Sequence, residues 1–259
     1  MTAPAAPSPL DTRRVLLATL GVNSLDALAV SLAEQGSRVA VLAQGTEPAS
    51  PGDAAGSPPG SGDVRKFHWE CETREETQRS VDVLLAQAGE PTQLVLLVLP
   101  SAALSGSALV EQGDADWREA CGAPVLQTIH LLQGLAPALK ARCASIVFIG
   151  ASLGLLGAER LTGLVALWES QRGLMKSLAR QWGKHGVTCN WVALEARELW
   201  RGFANFELPR RLEMIPVALC RRPNAGTDLA GVVDYLASPA GRAVTGATLC
   251  LDGGEWMVP

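Results

Sequence analysis

Val15-Leu-Leu-Ala18-Thr-Leu-Gly-Val-Asn-Ser-Leu25-Asp-Ala-Leu-Ala-Val-Ser-Leu-Ala-Glu-Gln35-Gly36-Ser-Arg-Val39-Ala-Val-Leu42 is the stretch on which the fold turns. Its apolar runs at 15–18 and 39–42 flank an amphipathic segment, Leu25 to Gln35. That segment stops at Gly36, as a helix with a glycine C-cap does. Strand, helix and strand in this order make a βαβ unit.

The alternation continues outward. A short run near Phe67–Trp69 precedes a charged helix from Thr73 to Ala88 and an apolar strand from Leu94 to Leu99. Then come a helix from about Asp116 to Ala141, a strand Ser145–Ile149, a helix from about Thr162 to Lys184 and a strand Val187–Val192. Continuous apolar strands alternating with helices predict a parallel sheet covered on both faces, the doubly wound Rossmann-like α/β fold in one domain. That domain is expected to span 14–259, after a flexible N-terminus at 1–13. Between Gly45 and Asp63, 12 of 19 residues are Gly, Pro or Ser, which predicts a flexible surface loop in place of a helix. The segment 195–224 carries Arg197, Arg201, Arg210, Arg211 and Arg221 with Trp200, Phe203 and Phe206, and lies where open α/β sheets keep a lid. An amphipathic helix pair packing its own aromatics is the alternative.

A chain of 259 residues, 47% hydrophobic and 19% charged, can bury enough apolar surface to fold. Its formal charge of −4 argues against nucleic-acid binding. No basic region followed by an apolar run opens the chain, and Leu94–Leu99 falls far short of the roughly 20 residues of a membrane span, so a cytoplasmic protein is expected. The six cysteines contain no Cys-x-x-Cys pair, so reduced, mostly buried thiols and no metal site are predicted.

Three stretches carry a resemblance: Leu178-Ala-Arg-Gln-Trp-Gly-Lys-His-Gly-Val-Thr-Cys-Asn190, Tyr235-Leu-Ala-Ser-Pro239 and Val244-Thr-Gly-Ala-Thr-Leu-Cys-Leu-Asp-Gly-Gly254. Together they resemble the short-chain dehydrogenase/reductase family, close to the 3-oxoacyl-carrier-protein reductases. That family binds NAD or NADP on a Gly-rich turn after the first strand, where glycines let the backbone approach the pyrophosphate at a helix N-terminus. Gapless counting from Gly36 puts Ala18, Thr19, Asn23 and Leu25 at the Thr and three Gly places, leaving only Gly21 inside the turn. Ala43 and Gln44 stand where an acid or base would select the ribose. Leu99-Pro-Ser-Ala102 replaces Asn-Asn-Ala-Gly, Leu194-Glu195 replaces Pro-Gly, and only Glu70 conserves the character of the adenine-facing Asp. The resemblance therefore implies no cofactor bound by this chain.

Its catalytic set is implied to be equally degenerate. Counting back from Trp182, Leu164 falls at the Tyr place, Trp168 at the Lys place and Ala151 at the Ser place, and counting from Trp117, Pro124 falls at the Asn place. None of these can move a proton. A shifted register would read Trp168 and Arg172 as a disguised Tyr-x-x-x-Lys with Ser152 as the serine, yet an indole only donates and an arginine stays charged. His130 lies on an apolar helix face and fits a core or interface histidine better than a base. His185 precedes Gly186 at a helix C-terminus, His68 lies far from both, and Tyr235 matches a packing position.

The segments 117–141, 162–184 and 228–257, which build the family's subunit interfaces, keep their resemblance. The chain is thus similar to the non-catalytic subunit of a heteromeric dehydrogenase, such as 2-(alpha-hydroxybenzyl)succinyl-CoA dehydrogenase. This implies pairing with an intact paralogue that carries NAD or NADP, as a heterotetramer, or with a second copy of itself. Two alternatives are an atypical reductase rebuilt around Ser152 and Arg172, and a module binding a small acidic or acyl ligand through Arg197, Arg201, Arg210 and Arg211.

Overall fold

The computed structural model describes residues 13–21, 25–44, 64–104, 106–200, 218–219 and 221–257. The loop expected at 45–63, Asn23, the N-terminal twelve residues and most of the lid, with Arg201, Phe203, Phe206, Arg210 and Arg211, lie outside them.

Seven strands form one parallel sheet: β1 (Arg14–Gly21), β2 (Arg38–Ala43), β3 (Val64–His68), β4 (Gln93–Leu99), β5 (Ser145–Ala151), β6 (Thr188–Leu194) and β7 (Thr248–Leu251). Their spatial order is β3-β2-β1-β4-β5-β6-β7, every neighbouring pair parallel. The order reverses between β1 and β4, the switch point at which open α/β sheets bind ligands. β4, β5 and β6 are buried along their whole length, as strands sandwiched between helices must be. This is the doubly wound single-domain architecture the alternation predicts.

The covering helices are α1 (Asp26–Glu34), α2 (Arg74–Ala88), α3 (Ala123–Ala141), α4 (Thr162–Trp182) and α5 (Thr227–Ala237). α1 packs on α5, while α2 packs on α3 and α3 on α4. The Thr73 hydroxyl accepts from the Glu76 amide and the Glu76 carboxylate accepts from the Thr73 amide, a capping box that starts α2.

Several boundaries differ from the sequence reading. β1 runs on from Ala18 to Gly21, so residues expected to leave the sheet as a turn remain paired within it. β3 begins at Val64 and ends at His68, one residue before Trp69. The helix expected from Asp116 begins at Asp114 and passes through a π-helical turn at Arg118–Gly122 before α3. Pro124 has no amide hydrogen to donate back to the preceding turn, which is where the regular ladder breaks. Tyr235 is 44% exposed on α5 and lines an apolar groove with Leu249 of β7. Among the described cysteines all are free. Burial pushes the Cys189 thiol up to about 12 and Cys71 up to about 11, the latter helped by Glu72 and Glu76, while Cys250 is exposed.

Candidate functional site

A nucleotide site in this architecture would form at the carboxyl ends of β1 and β4. There the two strands stay paired to their last residues, Gly21 opposite Leu99. Gly21 has φ +86, and a Cβ built on it would lie 2.2 Å from the Leu99 carbonyl oxygen. The backbone of β1 therefore presses directly on the end of β4. Ala18 and Thr19 are buried within the strand, and the Thr19 hydroxyl meets no hydrogen-bond partner. Leu25 is buried at the start of α1 and supplies no side-chain cap, and Asp26 in the first turn pairs with Lys66 at 3.5 Å. A carboxylate in that turn repels the anion that a bare helix N-terminus would attract.

The neighbouring wall is filled as well. Ala43 ends β2 buried, and its carbonyl accepts from the Trp69 amide at 3.0 Å. The Trp69 ring is buried just past β3, and its Nε1 meets no partner. Glu70 turns the other way: its amide donates to the Ser80 hydroxyl, and its carboxylate lies 3.9 Å from Arg79. Pro100 is buried, its carbonyl closing a short helical turn over Ser101–Leu104. Gln44 follows β2 with its amide donating to the Thr19 carbonyl.

Trp168 closes the other side. It is 0% exposed, and its indole Nε1 donates to the Val98 carbonyl at 3.2 Å, joining α4 to the end of β4. Leu164, one turn earlier on the same face, is also 0% exposed. Ala151 ends β5 buried, and Gly154 just beyond leaves room for the indole, a Cβ there standing 3.0 Å from Trp168 Cε3. Pro124 is buried at the start of α3. Its carbonyl accepts from the Thr128 hydroxyl, which in turn accepts from Gln171 Nε2 of α4. These positions carry packing and helix-to-helix hydrogen bonds, and no titratable group.

The shifted register fares differently. Ser152 is buried, and Arg172 grips the Glu169 carboxylate through two nitrogens, a pairing that raises the guanidinium pKa. His68 and His130 are half-buried, each with an Nδ1 that meets no partner, and His185 sits in the turn closed by left-handed Gly186. Among the described residues, no three His, Cys, Asp or Glu side chains gather as metal ligands, and no helix is long and apolar enough to cross a membrane.

The charged cluster of this edge lies at the ends of β6 and β7. Glu195 is 1% exposed and caps the helical turn Ala196–Leu199, one oxygen accepting from the Arg197 amide at 3.0 Å and the other lying 3.5 Å from its guanidinium. Asp252, 2% exposed, accepts from the Gly254 and Trp256 amides. Sequence reasoning passed over Asp252 and Glu255, although Leu251-Asp252-Gly253-Gly254 pointed to a tight acid-stapled turn. Arg221 is held by Asp228 through two hydrogen bonds.

Burial pushes the Glu195 carboxyl up, against the pull of Arg222 and Arg197, and Glu255 is raised by burial and then by the charge of Glu195. A carboxyl that holds its proton more tightly in the folded chain contributes stability below the ordinary glutamate range, and this is lost as pH rises through the folded value. Glu195→Gln keeps the capping acceptor and removes the titration. Its stability relative to the parent is expected to rise as pH climbs above the ordinary glutamate range, measured by urea denaturation at a series of pH values. A difference that stays constant with pH contradicts the burial account.

The enoyl-(acyl carrier protein) reductase family model matches residues 26–255. The 3-oxoacyl-(acyl-carrier-protein) reductase MabA of Mycobacterium avium is 26% identical over 261 residues, covering 96% of this chain and 92% of its own. The FabG reductase of Salmonella typhimurium is 28% identical over 153 residues, and the match spans 62% of its length. Among solved structures, an NADH-dependent reductase A1-R' complexed with NAD superposes with a TM-score of 0.76 at 17% identity, covering 96% of this chain and 98% of its own. An apo short chain oxidoreductase from Pseudomonas aeruginosa PAO1, described as containing an atypical catalytic center, gives 0.73 at 22% identity, covering 93% and 96%.

Proposed function

The chain belongs to the short-chain dehydrogenase/reductase family, and from that premise we propose that it is a non-catalytic subunit that pairs with an intact, NAD- or NADP-dependent paralogue. The observation that carries this reading is the buried Trp168 indole, hydrogen-bonded to Val98 in the place of the family's lysine. Leu164 and Ala151, at the tyrosine and serine places, offer no proton donor or acceptor.

A dinucleotide does not suit the residues present. Pyrophosphate needs close backbone approach beside β1, and the buried Thr19 and Leu25 stand at two of the places where the family has glycine. Trp69 and Ala43 fill the adenosine wall. No chemical step is assigned to this chain's own cleft. A site rebuilt around Ser152 and Arg172 is disfavoured by the burial of the one and the Glu169 pairing of the other.

Exposed apolar side chains support a subunit role. Trp117, Leu126, Tyr235 and Met257 are exposed, and all fall in the segments that resemble the family's interfaces. Burying such side chains against a partner is favourable by about 25 cal/mol per Å² of apolar area. The substrate of the complex is proposed to be a hydroxyacyl or oxoacyl thioester or a similar ketone.

The test is co-expression with an intact family member from the same genome. The pair is expected to co-purify at fixed stoichiometry and to oxidise NADH or NADPH with an oxoacyl thioester, activity that disappears when the partner's tyrosine is changed to phenylalanine. Turnover of a ketone by this chain alone overturns the reading.

A further inference from the structure

We infer that the outward face of α3 and α4 docks an acidic helix face of the intact paralogue and does not accept a second copy of this chain. This deepens the subunit reading and rests on it. Between Ala120 and Leu194 the chain carries two acids, Glu159 and Glu169, against seven Lys and Arg, although its formal charge is −4. Arg172, Lys176 and Arg180 recur every fourth residue along α4 and so form one stripe, and Lys184 follows at the same spacing in the turn after the helix. Lys176, Arg180 and Lys184 are exposed, and among the described residues none of them meets a carboxylate. The one acid on α4, Glu169, is already gripped by Arg172, and α3 contains no acid at all. Lys140, in the last turn of α3, stands 5.0 Å from the centroid of the Trp182 ring and carries the patch across both helices.

Cations in the last turn of a helix complement its dipole, which accounts for Arg180 and Lys184, but that effect fades within a turn and does not reach Lys176. Like charges four apart on a helix repel, so Lys176 and Arg180 weaken α4 while the face stands uncovered. A carboxylate laid between them removes that repulsion. The outward side of α3 is neutral, with Leu126, Gln133 and Pro137 exposed along it, and supplies apolar contact beside the charged stripe. A two-fold contact would set this face against itself, each residue i on j and j on i. With no free acid on the face, every cation would then meet only cations or neutral groups, and a second copy is repelled. A partner helix with Asp or Glu at every fourth position meets them instead. The net charge of −4 opposes nucleic acid and other long polyanions, whose field the whole molecule feels.

The test measures the affinity of the full chain for the intact paralogue from the same genome, and the sedimentation of the full chain alone. The double variant Lys176→Glu/Arg180→Glu is expected to lower affinity for the paralogue by about tenfold or more. It also alternates acids with Arg172 and Lys184 four residues apart, so the isolated fold is not weakened, and circular dichroism checks this. Lys176→Gln/Arg180→Gln should fall between, while Arg74→Glu, exposed at the start of α2, leaves pairing unchanged. Raising salt from about 50 to about 500 mM should weaken the parent pair more than the pair made by the charge-reversed variant. Pairing indifferent to these substitutions overturns this inference and leaves the subunit reading standing. A dimer of the lone chain that the charge-reversed variant breaks also overturns it, because the face then takes a second copy. No pairing of the parent with the paralogue overturns both.

Discussion

Trp168→Ala is expected to destabilise the chain by about 3–5 kcal/mol, the range for emptying a fully buried tryptophan site. The side chain has no exposure, it fills the space that Gly154 leaves open, and its Nε1 donates to Val98 at the end of β4. Trp168→Phe should retain most of the packing and lose chiefly the hydrogen bond, about 1 kcal/mol, plus any desolvation left on the Val98 carbonyl. Urea denaturation followed by far-ultraviolet circular dichroism separates the two, with the slope against denaturant unchanged if the unfolding stays two-state. A loss below about 1 kcal/mol for the alanine variant would mean the indole is not packed as described. The result bears on the proposed non-catalytic role, because a side chain that swung aside to admit a nicotinamide ring would forfeit this packing.

Gly21→Ala is the second large effect, expected near 3 kcal/mol. A Cβ at this position would lie 2.2 Å from the Leu99 carbonyl oxygen, so the end of β1 must move away from β4, and the left-handed backbone adds strain of its own. Crowding of this kind costs about 1–3 kcal/mol and left-handed strain about 1–2 kcal/mol. Gly36→Ala is the matched control: φ is +87, but nothing lies within 4 Å of the added carbon, so only the strain is felt. Thermal or urea unfolding of both variants is expected to rank Gly21→Ala well below Gly36→Ala. Equal losses would mean that the pairing of Gly21 with Leu99 does not hold β1 against β4.

Much of the architecture was legible because buried parallel strands are written as unbroken apolar runs. Leu94–Leu99 and the run after Ser145 needed no periodicity analysis to stand out. The extension of β1 was not legible, since Thr19-Leu-Gly21 has the composition of a turn and only its register with Leu99 keeps it in the sheet. The π-helical turn at Arg118–Gly122 left no pattern beyond Pro124. At the cleft, counting along α4 identified Leu164 and Trp168 as the residues to watch, but not the hydrogen bond to Val98, which depends on how α4 crosses the sheet. That Glu195 and Asp252 lie side by side escaped notice for the same reason: residues far apart in the chain are gathered by the register of β6 with β7, which no local spacing records.

Isothermal titration of NADH and NADPH into the purified chain, alone and in complex with an intact partner, tests the central claim most directly. The account predicts no saturable heat for the lone chain and about one cofactor per heteromeric pair. Stoichiometric micromolar binding by the lone chain would contradict it.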